Sequence, residues 1–153
     1  MIRQAGALEE RIKADTVVAL KAGDQRRTQA LRLLTAALKK ERIDAGVAPD
    51  EAAELVVLKR ERKRRVEAAD LYEKAGRADL AEQERYEEGL IAVYLPAALG
   101  DDELAAIVDA AIAETGAASP REMGKVMGVV MKKVAGRADG GAVNRLVRSR
   151  LGA

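Results

Sequence analysis

The 153-residue chain has no cysteine, no histidine, no tryptophan and no phenylalanine. The missing cysteines exclude disulfide staples and thiolate nucleophiles. With histidine also absent, Cys/His zinc sites, imidazole bases and Ser-His-Asp triads are excluded too. Three tyrosines are the only aromatics, too few for platforms that stack unpaired bases or for an aromatic ligand pocket. No stretch approaches the roughly eighteen apolar residues of a membrane span. The start, with Arg3 followed by Glu9, Glu10 and Arg11, lacks the apolar region of a secretory leader. A cytoplasmic protein with no metal and no cofactor is the expectation. Proline is scarce as well, and Pro49, Pro96 and Pro120 each fall at a break between helical patterns.

What remains is a helix-forming palette of alanine, leucine, valine, glutamate, lysine and arginine. A chain of this size buries about 70% of its unfolded surface, enough for a core without staples. Its 27 basic and 25 acidic residues leave a net charge of +2, which on its own argues nothing about nucleic acid. The distribution is more informative. Residues 100 to 115 hold five acids and no base, whereas residues 116 to 153 hold eight bases and two acids.

Apolar residues recur at helical spacing almost throughout, and no period-two alternation persists. The pattern predicts an all-α chain of seven helices: N-terminal helical hairpins of about four helices over residues 1–99, then a small three-helix domain over 100–153. The first two helices are expected over about Leu8 to Ala22 and Gln25 to Ala45, with Leu31, Leu34 and Leu38 buried in the second. Pro49 and Asp50 open a long third helix, with Leu55, Leu58, Val66 and Ala69 on one side and Arg62 in the middle of that stripe. A fourth is expected over about Asp79 to Tyr94, with Asp79 as N-cap. The third helix carries Lys59, Arg60, Arg62, Lys63, Arg64 and Arg65, and the fourth carries Glu82, Glu84, Glu87 and Glu88. They should pack as a charge-complementary antiparallel hairpin, Arg62 pairing with a glutamate of the fourth or snorkelling. Glutamates at this spacing could bind a metal or do acid/base work, but arginines opposite and no histidine argue against it.

Asp101 begins the fifth helix, with Leu104, Ile107, Val108, Ala111 and Ile112 inward. Ser119-Pro120-Arg121-Glu122 reads as a capped start for the sixth. On a helical wheel Met123, Met127, Val130 and Val134 share a core face, and Arg121, Lys125 and Lys132 form a basic line opposite. Gly124 and Gly128 lie beside that line, where a phosphate backbone can come close, or another helix of the bundle can pack. Gly136 stops the sixth helix, and Asp139 caps a seventh containing Val143, Leu146, Val147 and Leu151. Lys133, Arg137, Arg145 and Arg148 add charge around the Gly136 to Gly141 turn. Backbone N–H groups at the next helix start could receive an anion there, with Arg137 supplying a fork. A plain capped turn is the alternative, and the Walker ending is absent.

The Tyr94-Leu95-Pro96 run, the MGKVMGVVMKKV block from Met123 to Val134 and the GRADGGAVNRLV block from Gly136 to Val147 resemble the YqeY-like family. So do Tyr72 to Arg77 and the Asp79-Leu80-Ala81 that follows. That family is similar over its C-terminal module to GatB, the tRNA-binding subunit of glutamine-dependent aspartyl/glutamyl-tRNA amidotransferase. The resemblance implies a helical N-terminal part followed by a three-helix domain of the kind that reaches tRNA in GatB. It also implies a family association with carbon-nitrogen ligase activity using glutamine as amido-N-donor, although no catalytic constellation is visible in this chain. The expected function is an accessory module binding tRNA or another folded RNA by backbone and shape. Arg121, Lys125, Lys132, Lys133, Arg137, Arg145 and Arg148 would contact phosphates, and Gly124, Gly128, Gly136 and Gly140 would allow close approach. The alternative is a protein-interaction module docking onto an amidotransferase or tRNA synthetase subunit.

Overall fold

The computed structural model describes residues 4–152. Its helices are α1 Ala7–Lys21, α2 Gln25–Ala45, α3 Glu51–Lys74, α4 Ala78–Ala92 and α5 Asp101–Thr115, then α6 Met123–Val134 and α7 Gly140–Arg150. A single 3-10 turn, Pro120–Glu122, leads into α6, and no strand occurs among the described residues. The chain is all-α. It divides into two compact units between Leu95 and Pro96.

In the first unit α1 packs on α2 and α3 on α4, around a core that includes Ile12, Leu31, Leu34, Leu38, Val57 and Leu58. Asp24 and Asp50 accept the backbone N–H of Arg27 and Ala53 and so start α2 and α3. α1 starts differently. Its N-cap, Gly6, has no side chain to offer, and the carboxylate of Glu54 on α3 takes over. Glu54 Oε1 accepts the N–H of Leu8 at 3.1 Å and Oε2 that of Glu9 at 2.8 Å. Orphan N–H groups at a helix start need an acceptor when buried, so this cap also ties α1 to α3. Glu9 is itself fully buried, and Arg42 on α2 donates to it through Nε at 2.9 Å and Nη2 at 3.2 Å.

The α3/α4 hairpin is antiparallel and laced with ion pairs. Arg62 meets Glu88 at 2.7 Å, Arg65 meets Glu84 and Glu87 at 3.4 Å each, and Arg85 meets Glu73 at 2.8 Å. Two details differ from the sequence expectation. Asp79 lies in the first turn of α4, paired with Arg77, and Arg77 holds the N-cap position. The buried stripe of α3 runs through Glu54, Val57, Leu58, Glu61 and Ala69, whereas Val66 is 40% exposed. That stripe is turned by roughly 70° from the apolar one, so Arg62 stands at its edge.

Tyr94 closes the unit. Its ring is buried in the core, its hydroxyl donates to the Asp15 carboxylate, and the Arg11 guanidinium lies 4.9 Å from its centroid. Burial, then the bond to Asp15, pushes the phenol up to about 12. The tyrosine is therefore neutral at all ordinary pH, as a hydroxyl donor to a carboxylate must be.

The second unit is a three-helix bundle. Val126, Val130 and Val134 of α6 and Val143 and Val147 of α7 are wholly buried, together with Val108 and Ala111 of α5. Met123 and Met127 pack at its margin. Glu122 anchors the 3-10 turn by accepting the N–H of Ala118 at 2.7 Å and of Ser119 at 3.3 Å. At the other end of α6 the first left-handed residue is Ala135, with φ 48°, followed by Gly136 at 80°. Residues 96–99 belong to this unit rather than to the N-terminal one. The N–H of Leu99 donates to the Arg137 carbonyl at 2.8 Å, and Arg137 Nε donates to the Ala97 carbonyl at 2.9 Å.

Candidate nucleic-acid interface

α6 buries one face and exposes the other; Lys125 and Lys132 are exposed on α6 and Arg121 on the 3-10 turn that leads into it. The lead-in turn has three residues per turn rather than 3.6. It therefore moves Arg121 roughly 40° toward the Gly124 and Gly128 edge. None of the three cations has an ion pair among the described residues. Lys125 acts on Glu122, whose carboxyl is held below the usual range first by the Ala118 N–H, then by the Ser119 N–H and the charge of Lys125.

Nothing lies within 4 Å of where a Cβ would stand at Gly124 or Gly128. Helix packing within the bundle, the structural alternative for this pair, is therefore not their use among the described residues. Gly140 has only the Met131 Cε at 4.0 Å, and the crowded glycine of the turn is Gly141, 3.0 Å from Asp139 Oδ2 and 3.5 Å from Arg145 Nη1.

Of the five remaining cations, three are paired within the unit. Lys133 meets Glu114 of α5 at 3.2 Å, Arg137 comes to 3.9 Å from Glu103, and Arg150, which lies outside the two C-terminal motif blocks, meets Asp109 at 3.1 Å. Arg145 lines an open groove with Asp101 and Asp102. Arg148 is exposed on α7 with no ion pair among the described residues. The α7 start is no empty anion cradle, because Asp139 Oδ2 already accepts the Ala142 N–H at 3.0 Å. Arg137 is bound to the Ala97 carbonyl instead of standing as a fork over that turn. The capped turn is the better description. The sequence did hold a signal for the pairing: an acid-only helix immediately precedes a base-rich segment.

A family model described as Yqey-like protein matches residues 9–151. The chain belongs to the YqeY-like family. No match was found among curated proteins. In this YqeY-like chain the Met123–Val134 block is α6 itself, and the Gly136–Val147 block is the turn plus most of α7. Tyr94-Leu95-Pro96 spans the division between the two units. Among the described residues no helix is long and apolar enough to cross a membrane, and no group of acidic side chains is arranged to hold a metal ion.

Proposed function

We propose that the protein is a GatB/YqeY-type accessory module whose C-terminal unit binds folded RNA, with tRNA the class its family resemblance favours. One observation carries the reading: Arg121, Lys125 and Lys132 stand exposed along α6 and its lead-in turn without carboxylate partners, while Lys133, Arg137 and Arg150 are paired. Cations held in a row and left unpaired are suited to phosphate, and glycines beside them remove the side chains that would hold a backbone away. Recognition is then by shape and backbone, because no aromatic side chain lies in the described part of the C-terminal unit. The role is read as accessory rather than catalytic: Glu84 and Glu87, whose spacing could serve acid/base work, both pair with Arg65.

The test is a salt-series titration of the full chain against total tRNA. Each neutralised phosphate contributes roughly −0.7 to −0.9 to the slope of log affinity against log salt. Setting aside Arg145, which shares a groove with Asp101 and Asp102, the unpaired cations Arg121, Lys125, Lys132 and Arg148 predict a slope of about −3, whereas all seven in contact would give about −5 to −6. A flat line, or no binding at low salt, rejects the reading.

The glycines provide a second measurement in which stability and binding move in opposite directions. Alanine at Gly124 and Gly128 meets nothing and should strengthen α6 by about 1 kcal/mol per site. The doubly substituted chain is expected to melt higher and to bind tRNA more weakly. A higher melting temperature with unchanged binding would show that the RNA does not approach that edge.

The protein-docking alternative draws on one feature of the first unit. Leu33 and Val93 are exposed beside a shallow groove system between α2 and α4 that Leu90 also lines. A protein partner retained after nuclease treatment, and indifferent to Lys125→Ala with Lys132→Ala, would favour that reading.

A further inference from the structure

We propose that α5 is an electrostatic guard that confines RNA to the α6 side of the C-terminal unit, an inference that rests on the RNA reading above. α5 carries Asp101, Asp102, Glu103, Asp109 and Glu114, all exposed, and no base. Three of these carboxylates sit on Lys133, Arg137 and Arg150. Pairs this open to water contribute little to stability. Their effect on a polyanion is larger, since each removes a cation from phosphate and leaves a like charge facing it.

The reach of that field matches the geometry. At physiological ionic strength exposed charges are screened beyond about 8 Å, and packed helix axes stand roughly 8–10 Å apart. The α5 carboxylates therefore dominate their own side and the adjoining flank where Lys133, Arg145 and Arg150 emerge. They are screened from the outer face of α6, which points away from the core that α5 shares. One small bundle thus presents a repelling side and a receiving side, which fixes the orientation of a ligand recognised without base contacts.

The experiment compares the full chain with its Glu103→Gln, Asp109→Asn, Glu114→Gln variant in the tRNA salt series, and adds Lys133→Ala with Arg150→Ala in both backgrounds. These α5 substitutions are isosteric and exposed, and unchanged helicity checks the fold. The α5 variant is expected to bind on the order of tenfold more tightly at low salt, with a slope steeper by about 2 to 3 as the released cations take up phosphates. The Lys133/Arg150 pair is expected to be neutral in the parent chain and to weaken binding in the α5 variant. Equal affinity and slope for parent and α5 variant overturn the guard while leaving the RNA reading intact. So does a parent chain in which Lys133→Ala with Arg150→Ala weakens binding as much as the α6 substitutions. A parent chain that does not bind at low salt overturns both.

Discussion

Replacing Glu54 by alanine is expected to lower the stability of the N-terminal unit by about 2–4 kcal/mol, because two buried N–H groups at the start of α1 lose their acceptor together. Glu54 is only 3% exposed, so water does not simply replace it. For a domain of this size the change corresponds to a melting temperature lower by about 10 to 20 °C. Glu54→Gln separates the cap from the packing. Leu8 and Glu9 donate to different carboxylate oxygens, and an amide keeps one acceptor while turning an NH2 toward the other N–H. The glutamine variant should therefore recover only part of the loss, and full recovery would mean that shape rather than hydrogen bonding is what Glu54 supplies.

Gly6 provides the second half of a cycle. A Cβ there would lie 2.3 Å from Glu54 Cδ and Oε1, so Gly6→Ala must push the capping carboxylate off its N–H partners. In the parent chain the substitution is expected to cost about 1–2 kcal/mol. In the Glu54→Ala background the space is vacant and the same substitution should cost almost nothing, a non-additivity that two residues sharing one interaction must show. Chemical denaturation of the four chains measures it, and additive costs would dismiss the shared cap.

These residues also mark where reading the sequence fell short. The helices, the start of α3 at Asp50 and the Asp139 cap follow from local patterns, since caps and i, i+4 spacing are decided within a few residues, and the α3/α4 charge pairing follows from the opposite charges of two adjacent helices joined by a short turn. The α3 stripe does not. Glu54 and Glu61 occupy its buried positions because their partners are backbone N–H groups of α1 and the guanidinium groups of Arg64 and Arg65. No hydrophobic period marks a carboxylate for burial, and the apolar period points through Leu55 and Val66 instead. Glu9 with Arg42 is the same case at 33 residues' separation. At the C-terminal end the seven cations were visible as a set, but their division was not. Which of them are free depends on how α5 lies against α6 and α7, and only the acid-only composition of residues 100 to 115 hinted at it.

That division gives the prediction with the largest functional effect. The Arg121→Ala, Lys125→Ala, Lys132→Ala chain is expected to bind tRNA on the order of a hundredfold more weakly at low salt, and to flatten the salt slope by about 2 to 3 as three phosphate contacts are removed. The same number of charges taken from the α5-facing side, at Lys133, Arg145 and Arg150, should change affinity only a few-fold, because carboxylates already hold two of them and line one groove with the third. Net charge is identical in the two variants, so a general attraction between a basic chain and a polyanion predicts equal losses. A site on α6 predicts unequal ones. Stability is a poor explanation for the difference, since all three α6 side chains are exposed without ion pairs, and surface changes of that kind cost within about 0.5 kcal/mol. Equal losses from both variants would reduce the C-terminal unit to a diffuse positive surface, and the α6 line would then have no claim as a binding site.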